Sequence, residues 1–108
     1  MNSLESLIQT QCVTWFRLQH PNDLIFAVPN GGSRNLLEAR KLKREGVMAG
    51  VSDLIVIQNN LIVFIEMKHE KGRQSKSQKE FESKVSNLGY EYHLCRSFDD
   101  FKTIVESR

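Results

Sequence analysis

Asp53, Glu66 and Lys68 are the residues of this 108-residue chain whose types and spacing best suit chemistry. Two β-rich apolar runs, Leu54-Ile55-Val56-Ile57 and Leu61-Ile62-Val63-Phe64-Ile65, flank the pair Asn59-Asn60. Asn tolerates the positive φ of a type I′ turn, so the spacing predicts a tight hairpin. A two-residue loop pairs Gln58 with Leu61 and thereby sets Asp53 directly opposite Glu66. Strand alternation puts Lys68 on the face of Glu66 and Met67 on the other. Two carboxylates with Cβ atoms about 5 Å apart are a destabilising arrangement on their own. A divalent cation resolves it, because Mg²⁺ or Mn²⁺ takes hard oxygen ligands, commonly one or two carboxylates completed by water and phosphate. Asp53 and Glu66 would be that pair, with the backbone carbonyl of Met67 as a neutral ligand. Lys68 would offset charge developing at an attacked phosphate, or orient the nucleophilic water. Glu-x-Lys alone is common in a chain this charged. The same residues also fit a plainer reading, in which Asp53 opens its strand as a turn residue and Glu66 and Lys68 form a strand-end ion pair.

The elements that must position this group follow from periodicity. Leu4, Leu7, Ile8, Cys12, Trp15 and Phe16 recur at helical spacing over about 4–19, with Ser3 as cap. Leu24 to Val28 is a short apolar run ended by Pro29, which predicts a buried strand. Asn30-Gly31-Gly32-Ser33 is loop chemistry. A second helix over about 34–45 is expected to turn Leu36, Leu37 and Leu42 inward and to stop at Gly46. Both hairpin faces are apolar, so helices should cover both. Ser75 caps a third helix running through Phe81, Val85 and Leu88, and Ser75-x-x-Gln78 fits a capping box. Tyr90 to Cys95 alternates as a strand, and Ser97 opens a last helix. The order α-β-α-β-β-α-β-α predicts an α/β fold, a mixed central sheet with helices on both faces, in one domain spanning 1–108.

Composition narrows the class. Two cysteines, Cys12 and Cys95, make neither a disulfide framework nor a zinc set, and are most simply small buried hydrophobes. No run of 18 apolar residues could cross a membrane, and Met1–Gln11 lacks the apolar stretch of a signal peptide. A small soluble intracellular domain is expected, without membrane contact. The net charge of +2 hides an asymmetry, since residues 34–84 hold 11 basic and 7 acidic side chains and the flanks 4 and 6. That distribution leans towards a polyanionic partner, although an ordinary solvated surface also accommodates it.

Gly50-Val51-Ser52-Asp53-Leu54, Ile65-Glu66-Met67-Lys68 and Ser75-x-x-Gln78-x-x-Phe81 together resemble the PD-(D/E)XK nuclease superfamily. More narrowly, the chain resembles the VRR-NUC (virus-type replication-repair nuclease) family. The likeness extends to Glu5-x-x-x-Gln9, to Val28-Pro29-Asn30-Gly31-Gly32-Ser33, to the basic helix ending Glu45-Gly46, and to Gly89-Tyr90. Ser52 departs from the proline common in the family. The resemblance implies a restriction-endonuclease-like core and Mg²⁺- or Mn²⁺-dependent hydrolysis of DNA phosphodiesters, with no small-molecule cofactor. Standalone members resemble junction-resolving nucleases of phages and bacteria that act as homodimers. Branched DNA such as a four-way (Holliday) junction is therefore the expected substrate, in the cytoplasm of a bacterial cell or phage-infected host. Asp53 and Glu66 carry over as metal ligands and Lys68 as the catalytic lysine. Gln78 would orient water, metal or substrate, and Glu5 would complete the metal shell. A plain surface role for Glu5 and a capping role for Gln78 remain open beside these.

Arg40, Lys43 and Arg44 share a helix face suited to phosphate contacts, or to plain solvation. Asn30, Gly31 and Gly32 would present backbone N–H groups to a phosphate, or form a tight turn, with Arg34 beside them. Lys71, Arg73 and Lys76 lie near the proposed site and would line a DNA groove. His69 reads as a solvated loop residue, and His20 and His93 form no constellation. Trp15, Tyr90 and Tyr92 read as packing residues. A DNA-binding module whose nuclease fold no longer cuts is the alternative function.

Overall fold

A computed structural model describes residues 3–29 and 35–107. The order of elements is α1 (Ser3–Gln19), β1 (Leu24–Ala27), α2 (Leu36–Arg44), β2 (Leu54–Gln58), β3 (Leu61–Met67), α3 (Lys76–Asn87), β4 (Glu91–Cys95) and α4 (Phe98–Glu106). It matches the order read from periodicity. Asn59 and Asn60 both adopt positive φ (42° and 67°), as a type I′ turn requires. Gln58 therefore pairs with Leu61 and Leu54 with Ile65. β1 lies antiparallel on the other side of β2, and β4 runs parallel to β3, giving the sheet order β1-β2-β3-β4.

One face of this sheet carries Ile25, Leu54, Val56, Val63, Ile65 and Met67, packed with Cys12 and Phe16 of α1 and Phe101 and Val105 of α4 into the core. Cys12 and Cys95 are fully buried within it, as small hydrophobes should be. Trp15 packs edge-on against Phe98 and Phe101, a core role. The opposite face, Ile55, Ile57, Ile62 and Phe64, is only half-buried. There α3 lays Phe81 against Phe64 and Tyr92, with ring centroids 5.6 and 6.2 Å apart.

Two helix faces differ from expectation. In α1, Leu4 and Leu7 are exposed, and the inward stripe is Glu5, Cys12 and Phe16, seven and eleven residues apart. The core stripe of this helix thus ends on a carboxylate. In α2 no residue is buried, and Leu36 and Leu37, expected inward, are 64% and 77% exposed. At 3.6 residues per turn, both leucines fall on the arc of Arg40 and Arg44, while Ala39 and Leu42 fall opposite and are half-buried. Asn35 caps α2 by accepting from the Glu38 N–H (2.8 Å). No described helix is long and apolar enough to cross a membrane.

The segment joining α2 to β2 is fixed by Gly50, whose φ is +86° and whose missing side chain leaves room for the backbone of α3. A Cβ there would overlap the Ser77 carbonyl and lie 2.8 Å from the Gln78 nitrogen. Gly50→Ala should accordingly lower the thermal midpoint by roughly 10 °C or more, from positive-φ strain and overlap together, as followed by circular dichroism. An unchanged midpoint would contradict this close approach.

Candidate active site

The hairpin register brings Asp53 and Glu66 to the same end of the sheet, one step beyond the Leu54–Ile65 pair. Asp53 is tied in on three sides. Its Oδ2 accepts the Met67 N–H at 2.8 Å, its carbonyl accepts the Val28 N–H at 2.9 Å, and its carboxyl meets that of Glu66. Ser52, beside it, is fully buried, and its hydroxyl is satisfied by donating to the Leu54 carbonyl (3.1 Å). The serine is thus accommodated where proline is common in the resembled family.

Glu66 is 2% exposed. Its Oε2 accepts from Gln78 Nε2 at 3.1 Å, whereas its Oε1 has no hydrogen-bond donor. Burial pushes the Glu66 carboxyl up to about 9, assisted by its contact with Asp53, while the Lys68 ammonium opposes the shift and Glu5 adds to it. The contact between the two carboxyl groups needs something positive between them, which a proton or a cation can provide. An acid–lysine ion pair at a strand end would not require this burial.

Gln78 caps α3 and also donates to Glu66. Its Oε1 accepts the Ser75 N–H (2.8 Å) while Ser75 Oγ accepts the Gln78 N–H (3.2 Å), completing the capping box at the start of α3. That fixes the amide orientation and turns Nε2 onto Glu66. Glu5 is 8% exposed, and its Oε2 accepts the His69 N–H at 3.0 Å. It belongs to the inner end of α1 and stands close enough to influence Glu66. Met67 closes β3, and Lys68 continues beside β4 by donating its N–H to the Cys95 carbonyl (3.0 Å).

The expected DNA-contacting residues divide by position. Arg40, Lys43 and Arg44 are exposed on α2; Lys71, Arg73 and Lys76 are exposed on the loop and helix start that follow Lys68. Asn30, Gly31, Gly32 and Arg34 lie outside the described residues. His69 and Arg96 were not anticipated as parts of the site. Arg96 Nη1 donates to the carbonyls of His69 (2.8 Å), Glu70 (3.2 Å) and Gly72 (2.9 Å), so it braces the whole turn after Lys68. The only hint in the sequence was its place directly after the strand that neighbours β3.

A divalent cation fits this acid pair on one observation, the buried Glu66 oxygen that lacks a donor. Among the described residues no three His, Cys, Asp or Glu side chains converge closely enough to hold a metal ion, so Glu5 is not brought into one ligand cluster with Asp53 and Glu66. Mg²⁺ does not require such a cluster, since two carboxylates with water and phosphate suffice.

The family model described as the VRR-NUC domain matches residues 3–99. The chain belongs to the VRR-NUC family. Among solved structures it is similar to a chain described as "VRR_NUC domain protein", at 24% identity and TM-score 0.78, over 99% of this chain and 88% of that one. It is also similar to one described as "VRR_NUC domain", at 19% identity and TM-score 0.68, over 94% of each chain. No curated protein matches it. At these identities the likeness shows a shared fold, a mixed sheet with helices of VRR-NUC type, which is a nuclease-type fold.

The acid pair makes a prediction for the metal-free protein. Glu66 holds its proton more tightly folded than unfolded, so its contribution to stability is present below about pH 4.5 and is lost as pH rises towards about 9. Glu66→Gln, neutral at every pH, should remove that slope. In chelator at pH 8 it should melt on the order of 5 °C above the parent, the shift that about 1 kcal/mol produces in a domain of this size. A variant melting below the parent there would refute the buried, crowded carboxyl.

Proposed function

We propose that this VRR-NUC chain is a Mg²⁺- or Mn²⁺-dependent endonuclease that hydrolyses phosphodiester bonds in branched or structured DNA, such as four-way junctions, and works as a homodimer. The observation that carries the reading is the contact between half-buried Asp53 and buried Glu66, with a Glu66 oxygen lacking a donor. Asp53, Glu66 and the Met67 carbonyl would hold the cation, with Glu5 in support. When bound, the cation would neutralise the acid pair and stabilise charge developing on the phosphoryl oxygens during attack by water. Gln78 holds Glu66 in one orientation through its amide, anchored in turn by the helix cap. Lys68 brings a positive charge to the same end of the sheet, where it favours the ionised Glu66 and would offset the charge of the attacked phosphate.

Substrate attraction would fall to the exposed cations of α2 and of the segment after Lys68. Arg40, Lys43 and Arg44 on α2 would contact phosphates, as would Lys71, Arg73 and Lys76, without reading bases. No base-reading motif accompanies them, which favours recognition by DNA shape. One chain carries one acid pair, and symmetric cutting of a junction needs two. An isologous dimer supplies both.

The test is to incubate the purified chain with a labelled four-way junction, a flap and a duplex, in Mg²⁺, in Mn²⁺ and in chelator. Cleavage of the branched substrates only with metal is expected. Lys68→Ala should retain junction binding with turnover reduced at least a hundredfold, and Arg44→Ala should weaken binding and flatten its salt dependence. Junction binding without cleavage in any metal would support the inert DNA-binding alternative, and cleavage persisting in chelator or in Glu66→Ala would overturn the metal mechanism. A monomer at working concentration, measured by light scattering, would overturn the two-site arrangement.

A further inference from the structure

The turn after Lys68 holds a histidine more completely than a solvated loop position needs. The backbone N–H and carbonyl of His69 and its ring Nδ1 are all hydrogen-bonded. Its N–H donates to Glu5 Oε2 (3.0 Å), and its carbonyl accepts from the Gly72 N–H (2.9 Å) and from Arg96 Nη1 (2.8 Å). Its ring Nδ1 accepts the Lys71 N–H (3.3 Å), which leaves the ring proton on Nε2. That Nε2 faces the same Glu5 Oε2 at 3.7 Å. Gly72 is part of the arrangement, because a Cβ there would come within 3.2 Å of the imidazole Cδ2 and Nε2. His69 thus holds one carboxylate oxygen with a backbone hydrogen bond and sets its ring N–H 3.7 Å from the same oxygen, too long for a hydrogen bond but favourable to the carboxylate's charge, and Arg96 braces the turn from behind.

We propose that His69 is a positioning residue, holding the Glu5 carboxylate beside the Asp53–Glu66 pair and so raising the affinity of that pair for a divalent cation. This rests on the metal-dependent reading above. Partners that orient the groups around a metal commonly matter for affinity as much as the ligands' own geometry does, and their loss costs about 10- to 100-fold. Glu5 enters from α1, on the far side of the core from α3, and the grip of His69 ties its position to the turn that follows Lys68.

The test compares His69→Ala, His69→Gln and Gly72→Ala in the full chain. Mn²⁺ affinity is read from the free-ion electron paramagnetic resonance signal, and kcat and KM are measured on a junction. His69→Ala should weaken Mn²⁺ binding about tenfold and lower kcat with little change in KM. His69→Gln, whose side-chain amide can present an N–H towards Glu5 as Nε2 does, should recover most of both. Gly72→Ala, which displaces the ring without removing it, should fall between. His93→Ala, lacking an imidazole elsewhere, should match the parent. Parental Mn²⁺ affinity in His69→Ala would overturn the proposal, as would equal loss in the Ala and Gln variants, which marks a merely structural role. If His69→Ala does not fold, the Gln and Gly72→Ala variants decide between the same outcomes. A parent that binds no Mn²⁺ and cuts nothing would sink the nuclease reading, and this proposal with it. A parent that binds and cuts while the variants equal it would sink the proposal alone.

Discussion

Two carboxyl groups forced together, one half-buried and one that water scarcely reaches, are the constraint around which this molecule is organised. Asp53 and Glu66 meet because a two-residue turn leaves the hairpin no other register, and Glu66 is then buried. Like charges at such range cannot both persist uncompensated. The carboxyl pair must share a proton, which places Glu66 far above its ordinary range, or hold a cation. In the proposed function, activity and instability would come from the same contact. The neighbouring groups read as responses to it: an amide on one Glu66 oxygen, a lysine opposing the shift, and a third carboxylate kept in place by a loop.

The fold brings these groups together by directing chain ends to one edge of the sheet. The C-terminal end of β1, the start of β2, and the ends of β3 and β4 converge there, as the Val28–Asp53 and Lys68–Cys95 hydrogen bonds record. α1 contributes Glu5 from the core side, and α3 contributes Gln78 from the other. Apart from the undonated Glu66 Oε1, the polar groups around the pair are closely used. The capping amide of α3 doubles as the partner of Glu66, and Arg96 satisfies three carbonyls of the turn that carries His69. Rigid supports of this kind are what a site needs if its charges are to be arranged before a substrate arrives.

Membership of the VRR-NUC family and the shared fold place the chain among nuclease-type folds. The distribution of charge agrees with a polyanionic partner. Acidic groups are partly withdrawn into the site, whereas the cations of α2 and of the segment after Lys68 face outward. The surface offered to DNA is consequently more basic than a net charge of +2 suggests. Leu36 and Leu37 stand exposed among the cations of α2, because the half-buried side of that helix is the one bearing Ala39 and Leu42.

Local rules made a large part of this legible in advance. The order of elements, the helix caps at Ser75 and Ser97, and the opposition of Asp53 and Glu66 all follow from turn chemistry and short-range hydrogen bonding. The likeness to VRR-NUC proteins was carried by motifs within a few residues of those features. Only the tertiary structure decided which side of a helix turns inward, and this is where α1 and α2 differ from their sequence patterns. It also set β4 beside β3. A parallel pair joined through a helix has no tight turn to fix its register, so the arrival of Arg96 under the His69 turn was invisible from the chain. The same holds for the burial of Glu66 and its meeting with Gln78, which depend on how α3 is laid across the sheet. Sequence alone determined that two acids would be neighbours, because a two-residue turn permits one pairing. Packing alone decided how far from water they would sit and which residues would hold them, because those contacts join segments that no local hydrogen bond connects.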